Sequence, residues 1–201
     1  MPVRHLTIAV LALSLSLSLA AAPAAAAVID GTGGNDRLTG TSRADVIRGL
    51  GGRDVLQGRS GPDVLRGGPG ADMVFGDGGR DLLVGGTGRD VLSGGPGGDR
   101  LRGGTGADSL TDGVITELSA EPGDDLLRAG PGDDFLGVTG GQDRVLAGTG
   151  DDELKTIDDG VVDTIDCGDG TDSVTYFEVD GEGGIDPLDV LVGCEQVVEA
   201  R

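Results

Sequence analysis

Aspartates recur in this chain at a fixed spacing of nine residues, from Asp36 to Asp108. In each repeat an aliphatic residue follows the aspartate by two positions, and a glycine precedes it by five. The spacing resumes at Asp125 and runs to Asp152, with looser copies at Asp163 and Asp172. Because carboxylate oxygens are ligands for hard cations, we predict metal sites at Asp36, Asp45, Asp54, Asp63, Asp72, Asp81, Asp90, Asp99, Asp108, Asp125, Asp134, Asp143, Asp152 and Asp172.

The nine-residue unit predicts the elements that position these carboxylates. The three residues centred on each aliphatic position suit a short strand, whose middle side chain points away from its neighbours' face. The six glycine-rich residues before it must turn the chain, since glycine adopts the positive φ that tight turns require. Two units return the chain to its starting side, so 18 residues make one coil. Stacked coils predict an all-β solenoid with two parallel sheets and an aliphatic core.

Stacked coils would place aspartates of alternate units along the same edge, such as Asp36, Asp54 and Asp72. At a spacing of about 4.8 Å and an effective dielectric of about 20, adjacent carboxylates repel by about 3.5 kcal/mol before screening. Ca²⁺ offsets this repulsion because it accepts six to eight oxygens in flexible geometry, whereas Mg²⁺ demands an octahedron. One ion between successive same-side turns predicts up to about nine Ca²⁺ ions. The alternative for any single aspartate is a turn-forming residue that bonds its own backbone.

Several copies depart from the repeat. Arg43 stands where other copies have a glycine two residues before the aspartate, which weakens the predicted site between Asp45 and Asp63. A milder change affects the second glycine of the turn, which stands four residues before the aspartate. It is replaced at Leu50, Arg59 and Asp77.

Two segments carry a family resemblance. Residues 67–75 read Gly-Gly-Pro-Gly-Ala-Asp-Met-Val-Phe, and residues 85–93 read Gly-Gly-Thr-Gly-Arg-Asp-Val-Leu-Ser. They resemble the calcium-binding nonapeptide of the repeats-in-toxin (RTX, hemolysin-type) family, and the resemblance covers roughly residues 31–175. It implies a parallel β-roll, expected to be right-handed, that binds Ca²⁺ in its turns. In the enzymes of that family the roll is an appendage to a separate catalytic domain.

Composition excludes several function classes. The chain has 35 acidic and 15 basic residues, a net charge of −20, 41 glycines and 2% aromatic residues, which is typical of disorder unless something else stabilises a fold. The single histidine, His5, lies in the predicted leader, so no Ser-His pair, Cys-His pair or histidine-ligated zinc is available elsewhere. We therefore predict that the protein is not an enzyme. So acidic a chain is also a poor ligand for nucleic acid.

Domain organisation follows from where the repeat starts, slips and ends. Residues 1–27 read as a signal peptide, with Arg4, an apolar stretch and a cleavage position near Ala27; an uncleaved anchor is the alternative. Residues 28–111 form a first β-roll block of nine nonapeptides, 112–122 a degenerate unit or loop, 123–157 a second block and 158–201 a C-terminal capping module. A secreted or cell-surface location is expected, without membrane insertion.

The cap contains Cys167 and Cys194, the only cysteines of the chain. In an exported protein they predict a disulfide that closes the cap. The alternative is two reactive or intermolecular thiols.

The sequence thus predicts a secreted, non-catalytic calcium-binding β-roll whose folding is coupled to Ca²⁺, serving as an extracellular structural or adhesive module. The alternative is an accessory or stabilising module of a secreted enzyme or polysaccharide-binding system.

Outward strand positions carry a stripe of Arg48, Arg66 and Arg102. This stripe either binds an acidic cell-surface polysaccharide or only offsets the acidic edges; another protein is the remaining candidate partner.

Overall fold

The structure, a computed structural model, describes residues 26–113, 123–158, 161–178 and 189–200. All but the last two residues of the predicted leader lie outside these ranges. Within them the chain forms 18 strands in two nine-stranded sheets. Sheet A contains the odd-numbered strands β1 (Val28–Asp30), β3 (Val46–Arg48), β5 (Val64–Pro69), β7 (Leu82–Thr87), β9 (Arg100–Thr105), β11 (Leu126–Pro131), β13 (Arg144–Thr149), β15 (Thr164–Asp169) and β17 (Val190–Val192).

Sheet B contains the even-numbered strands β2 (Arg37–Thr39), β4 (Val55–Ser60), β6 (Met73–Gly78), β8 (Val91–Ser93), β10 (Ser109–Thr111), β12 (Phe135–Val138), β14 (Glu153–Asp158), β16 (Ser173–Glu178) and β18 (Gln196–Ala200). Every strand pairs in parallel with the strand two places along the chain, as in Val46↔Val64 and Val64↔Leu82. The predicted solenoid, with two parallel sheets and 18 residues per coil, is confirmed. None of the described residues belongs to an apolar helix of membrane-spanning length.

Many strands are longer than the predicted three residues. Strand β5 has six, because its backbone pairing continues past Arg66 through Gly68↔Gly86 and Pro69↔Thr87. Part of the predicted turn is therefore sheet, which brings the glycine-rich backbone of successive coils into hydrogen-bonding contact.

The core lies between the two sheets and is one aliphatic side chain deep. Leu56, Leu65, Val74 and Leu83, each from a different strand, are fully buried. Along each strand the inward positions are the aspartate, the aliphatic residue and the first glycine of the next unit, as in Asp54, Leu56 and Gly58. Alternation of side chains across a strand thus directs the aspartates inward with the core residues.

The sheets run without interruption across the slip in the repeat. Strand β11 pairs with β9 through Leu126↔Arg100, and β12 pairs with β10 through Phe135↔Ser109, so each of these coils spans 26 residues. Residues 112 and 113 follow β10, and the rest of the predicted degenerate unit or loop, residues 114–122, lies outside the described ranges.

The last four strands extend the same two sheets, with β15 on β13 and β16 on β14. The predicted disulfide is confirmed: Cys167 and Cys194 are bonded, with 5.3 Å between their Cα atoms. It links β15 to the segment that follows β17 within one chain, which excludes the intermolecular alternative.

Candidate metal sites at the aspartate turns

The repeat aspartates lie at both edges of the roll, where a turn enters a strand. Asp54, Asp72 and Asp90 are at most 1% exposed, and the other predicted ligands are buried as well, except for Asp36, which is half-buried. Their depth follows from the inward position that each aspartate shares with the core residues.

Except in Asp36, one carboxylate oxygen of each aspartate is held by the preceding coil. The backbone N–H of Asp54 donates to Oδ1 of Asp72 at 2.8 Å, and the backbone N–H of Asp72 donates to Oδ1 of Asp90 at 2.8 Å. We call the two resulting rows the aspartate ladders. The first ladder contains Asp36, Asp54, Asp72, Asp90, Asp108, Asp134, Asp152 and Asp172. The second contains Asp45, Asp63, Asp81, Asp99, Asp125 and Asp143.

The other oxygen has no partner in most copies. Within the part of the chain that the structure describes, Oδ2 is buried without a hydrogen bond in Asp54, Asp63, Asp72, Asp81, Asp90, Asp99, Asp108, Asp134, Asp143, Asp152 and Asp172. A buried polar atom left unpaired costs about 1–3 kcal/mol, and more when it is charged. Eleven such atoms in two rows indicate a missing positive partner rather than isolated defects.

In the copies from Asp36 to Asp108, the first glycine of the turn, five residues before the aspartate, leaves space for that oxygen. A Cβ atom added to Gly76 would lie 2.6 Å from Oδ2 of Asp81 and 2.6 Å from the carbonyl oxygen of Gly94 in the next coil. The glycines with positive φ stand at other positions of the turn, such as Gly68 (φ 116°) and Gly70 (φ 150°). In the first block the glycine at this position thus leaves space in which a carboxylate oxygen and a carbonyl oxygen approach one another.

Burial shifts the ionisation of the ladder carboxyls. It raises the pKa of Asp81 and of Asp108 to about 7, against a partial lowering by the backbone hydrogen bond that each accepts. Carboxylates in adjacent coils raise these pKa values further. Burial also raises the pKa of Asp143 to about 9. Burial and mutual repulsion thus oppose ionisation of these carboxyls at neutral pH, and a cation between them would favour it; oxygen-only ligands suit Ca²⁺.

The repeat is also found by comparison with known families. The RTX calcium-binding nonapeptide repeat matches in four copies, over residues 30–65, 48–83, 75–110 and 119–154. The chain belongs to this family. It is a calcium-binding β-roll module built of RTX repeats, as the resemblance implied. Among curated proteins, none matches the chain.

Two RTX turns at the N-terminal end satisfy their aspartate with a threonine. The N–H of Thr41 donates to Oδ2 of Asp45 at 2.5 Å, and its hydroxyl donates to Oδ1 at 3.1 Å. Burial raises the pKa of Asp45, but hydrogen bonds from the Thr41 and Ala27 backbones outweigh it, so the pKa is lowered overall. Thr32 binds Asp36 in the same way, by N–H (2.6 Å) and hydroxyl (2.9 Å). These two aspartates fit the turn-forming alternative.

The three replacements of the second glycine prove less mild than expected. Leu50, Arg59 and Asp77 have positive φ values of 80°, 85° and 64°. In these three turns the backbone is left-handed at this position, which costs a residue with a Cβ roughly 1–2 kcal/mol.

Three acidic residues outside the predicted metal sites extend the ladders toward the C-terminus: Asp163, predicted only as a looser copy of the repeat, and Asp189 and Glu195, which sequence reasoning missed. Oδ1 of Asp163 accepts from the N–H of Asp143 at 2.9 Å, and Oδ1 of Asp189 accepts from that of Asp163 at 2.8 Å. In the first ladder, Oε2 of Glu195 accepts from the N–H of Asp172 at 2.9 Å. A signal was present, because Asp189 and Glu195 each precede an aliphatic residue by two positions, as in every repeat.

Proposed function

We propose that this protein is a secreted, non-catalytic RTX module whose folding is driven by Ca²⁺, and that it serves a structural or adhesive role outside the cell. The observation that carries the proposal is the set of eleven buried, unpartnered aspartate oxygens in the two ladders. The aspartates that carry these oxygens would hold the ions, together with carbonyl oxygens of the adjacent coil. Asp125 occupies an equivalent position in the second ladder. Asp36 and Asp45 suit this role less well, because threonines of their own turns bind their carboxylates.

The energetics of the roll support coupling between metal binding and folding. The core contributes one aliphatic side chain per strand, and the ladders place buried like charges about 4.8 Å apart. Without metal, the free energy of folding is therefore small or unfavourable. When a site exists only in the folded state, the free energy of metal binding becomes free energy of folding.

An extracellular location is supported by the disulfide between Cys167 and Cys194 and by the leader-like residues 1–27. Extracellular calcium sites typically dissociate at about 10⁻⁴–10⁻³ M. Such sites would be empty at cytosolic calcium and filled outside, so that the roll forms after export.

Far-UV circular dichroism of EDTA-treated protein during a Ca²⁺ titration tests this proposal. We expect little strand signal without metal and a cooperative gain at about 10⁻⁴–10⁻³ M Ca²⁺. Equal concentrations of Mg²⁺ are the control and should produce a much smaller change. A strand signal that is the same in EDTA and in millimolar Ca²⁺ would overturn the proposal.

A second candidate function, binding of an acidic polysaccharide, is supported by the outer face of sheet A. Arg48 lies opposite Arg66 in register, and Arg102 lies opposite Arg128, which extends the predicted stripe. A second row on this face contains Arg100 and Arg144, on either side of Leu126. We call the six residues Arg48, Arg66, Arg100, Arg102, Arg128 and Arg144 the arginine face.

The arginine face concentrates positive charge on an acidic protein. Five of its side chains are exposed, and its one ion pair among the described residues joins Arg48 to Asp30 at 2.9 Å. Like charges in adjacent strands of one sheet repel, so the face gains most from an extended anion laid along the roll axis. This arrangement favours a polysaccharide with regularly spaced carboxylates or sulfates.

Binding to heparin, with neutral dextran as the control ligand, tests the second candidate. The triple variant Arg66→Gln/Arg102→Gln/Arg128→Gln should lose most of the retention at low salt, in saturating Ca²⁺. Its matched control replaces three arginines of the turns, Arg43, Arg53 and Arg89, and so removes the same charge. Equal retention of the two variants would mean that the arginine face has no specific role.

A further inference from the structure

Asp112 occupies a position that the RTX repeat reserves for glycine. It follows β10 directly, and in the preceding coil the equivalent residue is Gly94, whose N–H donates to the carbonyl of Thr111 at 2.9 Å. The side chain of Asp112 points into the roll and is 1% exposed. A carboxylate therefore enters the interior at a point where the other first-block turns contribute only a backbone.

This carboxylate meets two members of the second ladder. One oxygen from each of Asp112, Asp125 and Asp143 lies within 4.8 Å of the other two, and all three residues are buried. The ion pairs of the described residues, Arg48–Asp30 and Lys155–Glu153, involve none of them. Three buried carboxylates thus share a small volume without a paired cation.

Hydrogen bonds fix Asp112 but leave the cluster incomplete. Oδ2 of Asp112 accepts from the N–H of Thr139 at 2.6 Å, and its Oδ1 accepts from the N–H of Gly113 at 2.5 Å and the Thr139 hydroxyl at 3.1 Å. Asp143, at 2% exposed, uses Oδ1 for the N–H of Asp125 at 2.8 Å, and its Oδ2 has no partner in the described part of the chain. A fully buried, unpartnered carboxylate oxygen in this position indicates a ligand.

We propose that Asp112, Asp125 and Asp143 form a Ca²⁺ site of a different type from the repeat sites, with three carboxylates in place of the two that successive turns supply. The proposal rests on the proposed function for the rest of the ladder. Because affinity for Ca²⁺ rises with the number of charged ligands, this junction site binds more tightly than the repeat sites and fills first. Asp112 and Asp125 flank residues 114–122 in the sequence, so the ion joins both ends of that stretch to the next coil.

The test counts Ca²⁺ in the full chain at limiting free Ca²⁺, by native mass spectrometry, alongside a calorimetric titration. Asp112→Asn keeps the size of the side chain and removes its charge, and should hold one ion fewer and lose the tightest binding step. Asp166→Asn, a half-buried aspartate on the outer face of β15, removes the same charge away from the ladders and should match the wild type. Asp112→Gly, which restores the glycine of the repeat, should behave as Asp112→Asn.

Failure of the junction site can be told apart from failure of the proposed function. If the Asp112 variants bind as many ions as the wild type with an unchanged tightest step, the junction site is overturned and the repeat sites stand. If no form of the chain binds Ca²⁺, the proposed function fails with it. Crystals of the wild-type chain with Tb³⁺ in place of Ca²⁺ give an answer that needs no variant: an anomalous peak between the three carboxylates supports the site, and its absence there overturns it.

Discussion

At the scale of single residues, the turn chemistry depends on two glycine roles that the sequence pattern does not distinguish. The second glycine allows positive φ, and the first leaves room for the aspartate five residues later. At Gly76 that room is bounded by Oδ2 of Asp81 and by the Gly94 carbonyl. A methyl group on Gly76 would therefore have to displace one of these two oxygens, although Ala129 and Ala147 hold a buried methyl group at the equivalent position of the second block.

Gly76→Ala should destabilise the calcium-loaded roll by about 1–3 kcal/mol, because its Cβ would overpack the turn. Gly78→Ala, in the same strand, is the control, since its Cβ would meet its nearest atom at 3.8 Å and its backbone is not left-handed. Its effect should stay within about 0.5 kcal/mol. Urea unfolding in saturating Ca²⁺ measures both. Equal stability of the two variants would contradict the role assigned to the first glycine.

Replacement of a side chain by glycine should increase stability at Leu50, which has φ 80° and is 48% exposed. Leu50→Gly removes the left-handed strain while losing little buried surface, so a stabilisation of about 1 kcal/mol is expected. Thermal unfolding in Ca²⁺ is the measurement. A lower melting temperature for the glycine variant would show that the side chain contributes more than its strained backbone costs.

At the scale of strands and coils, the disulfide secures the C-terminal strands. Cys167 is buried at the inward position that Ala147 occupies one coil earlier. Because the chain already has an alanine at the equivalent position, Cys167→Ala should be accommodated there. Cys194 is bonded to it over a sequence separation of 27 residues. The bond restricts the unfolded chain and holds β15 against the strands that follow.

Cys167→Ala/Cys194→Ala should lower the free energy of unfolding by about 3.5 kcal/mol in the chain-entropy description of a loop of this length. Urea unfolding with saturating Ca²⁺ measures the loss, and a reducing agent should shift the midpoint of the wild type but not of the variant. A midpoint in the variant equal to that of the oxidised wild type would mean that the disulfide adds nothing.

The regular elements could be predicted from the sequence because a nine-residue period leaves few architectures open. Coil length, strand direction and core residues follow from it, whereas the cysteine pair was predicted from the leader and from the presence of only two cysteines. The aliphatic position alone, however, did not reveal that Gly68 and Gly86 pair as strand, because sheet hydrogen bonds are made by the backbone of any residue. The stacking of Asp125 on Asp99 was also hidden, because it depends on a 26-residue coil that breaks the period.

The sequence predicted the type of site, aspartates in repeated turns, but not which residues take part in it. The spacing identified the buried aspartates, but it could not show that Thr41 satisfies Asp45 through a local turn. It also gave no reason to single out Asp112, whose importance arises from residues 13 and 31 positions later in the sequence. Contacts between coils separated by irregular segments require the three-dimensional structure.

At the scale of the whole molecule, the ladder carboxyls link stability to pH. Burial raises the pKa of Asp72 to about 6, of Asp81 to about 7 and of Asp143 to about 9, above the usual value of about 4 in an unfolded chain. Without metal, the folded roll therefore binds more protons than the unfolded chain. Protonation should favour the metal-free roll, and Ca²⁺ should replace those protons at higher pH.

In EDTA, the strand signal should be greatest near pH 4 and should fall as the pH rises through about 6 to 9, the range of the raised pKa values. Saturating Ca²⁺ should remove this dependence above about pH 6, with proton release on binding. Circular dichroism from pH 4 to pH 9, with and without Ca²⁺, checks both statements. A metal-free roll that gains strand signal with rising pH would contradict them.

From Asp54 and Asp63 onward, each ladder aspartate joins two coils, with Oδ1 held by the preceding coil and, in the glycine-rich turns, Oδ2 directed at its own turn. An ion bound at one turn therefore fixes a carboxylate that the next site along the ladder also uses. The stabilisation extends only to the adjacent coils. A protein built this way responds to a rising ion concentration over a narrow interval, as a threshold detector does. Its sharpness should grow with the number of windings, which evolution can adjust by adding or deleting eighteen codons.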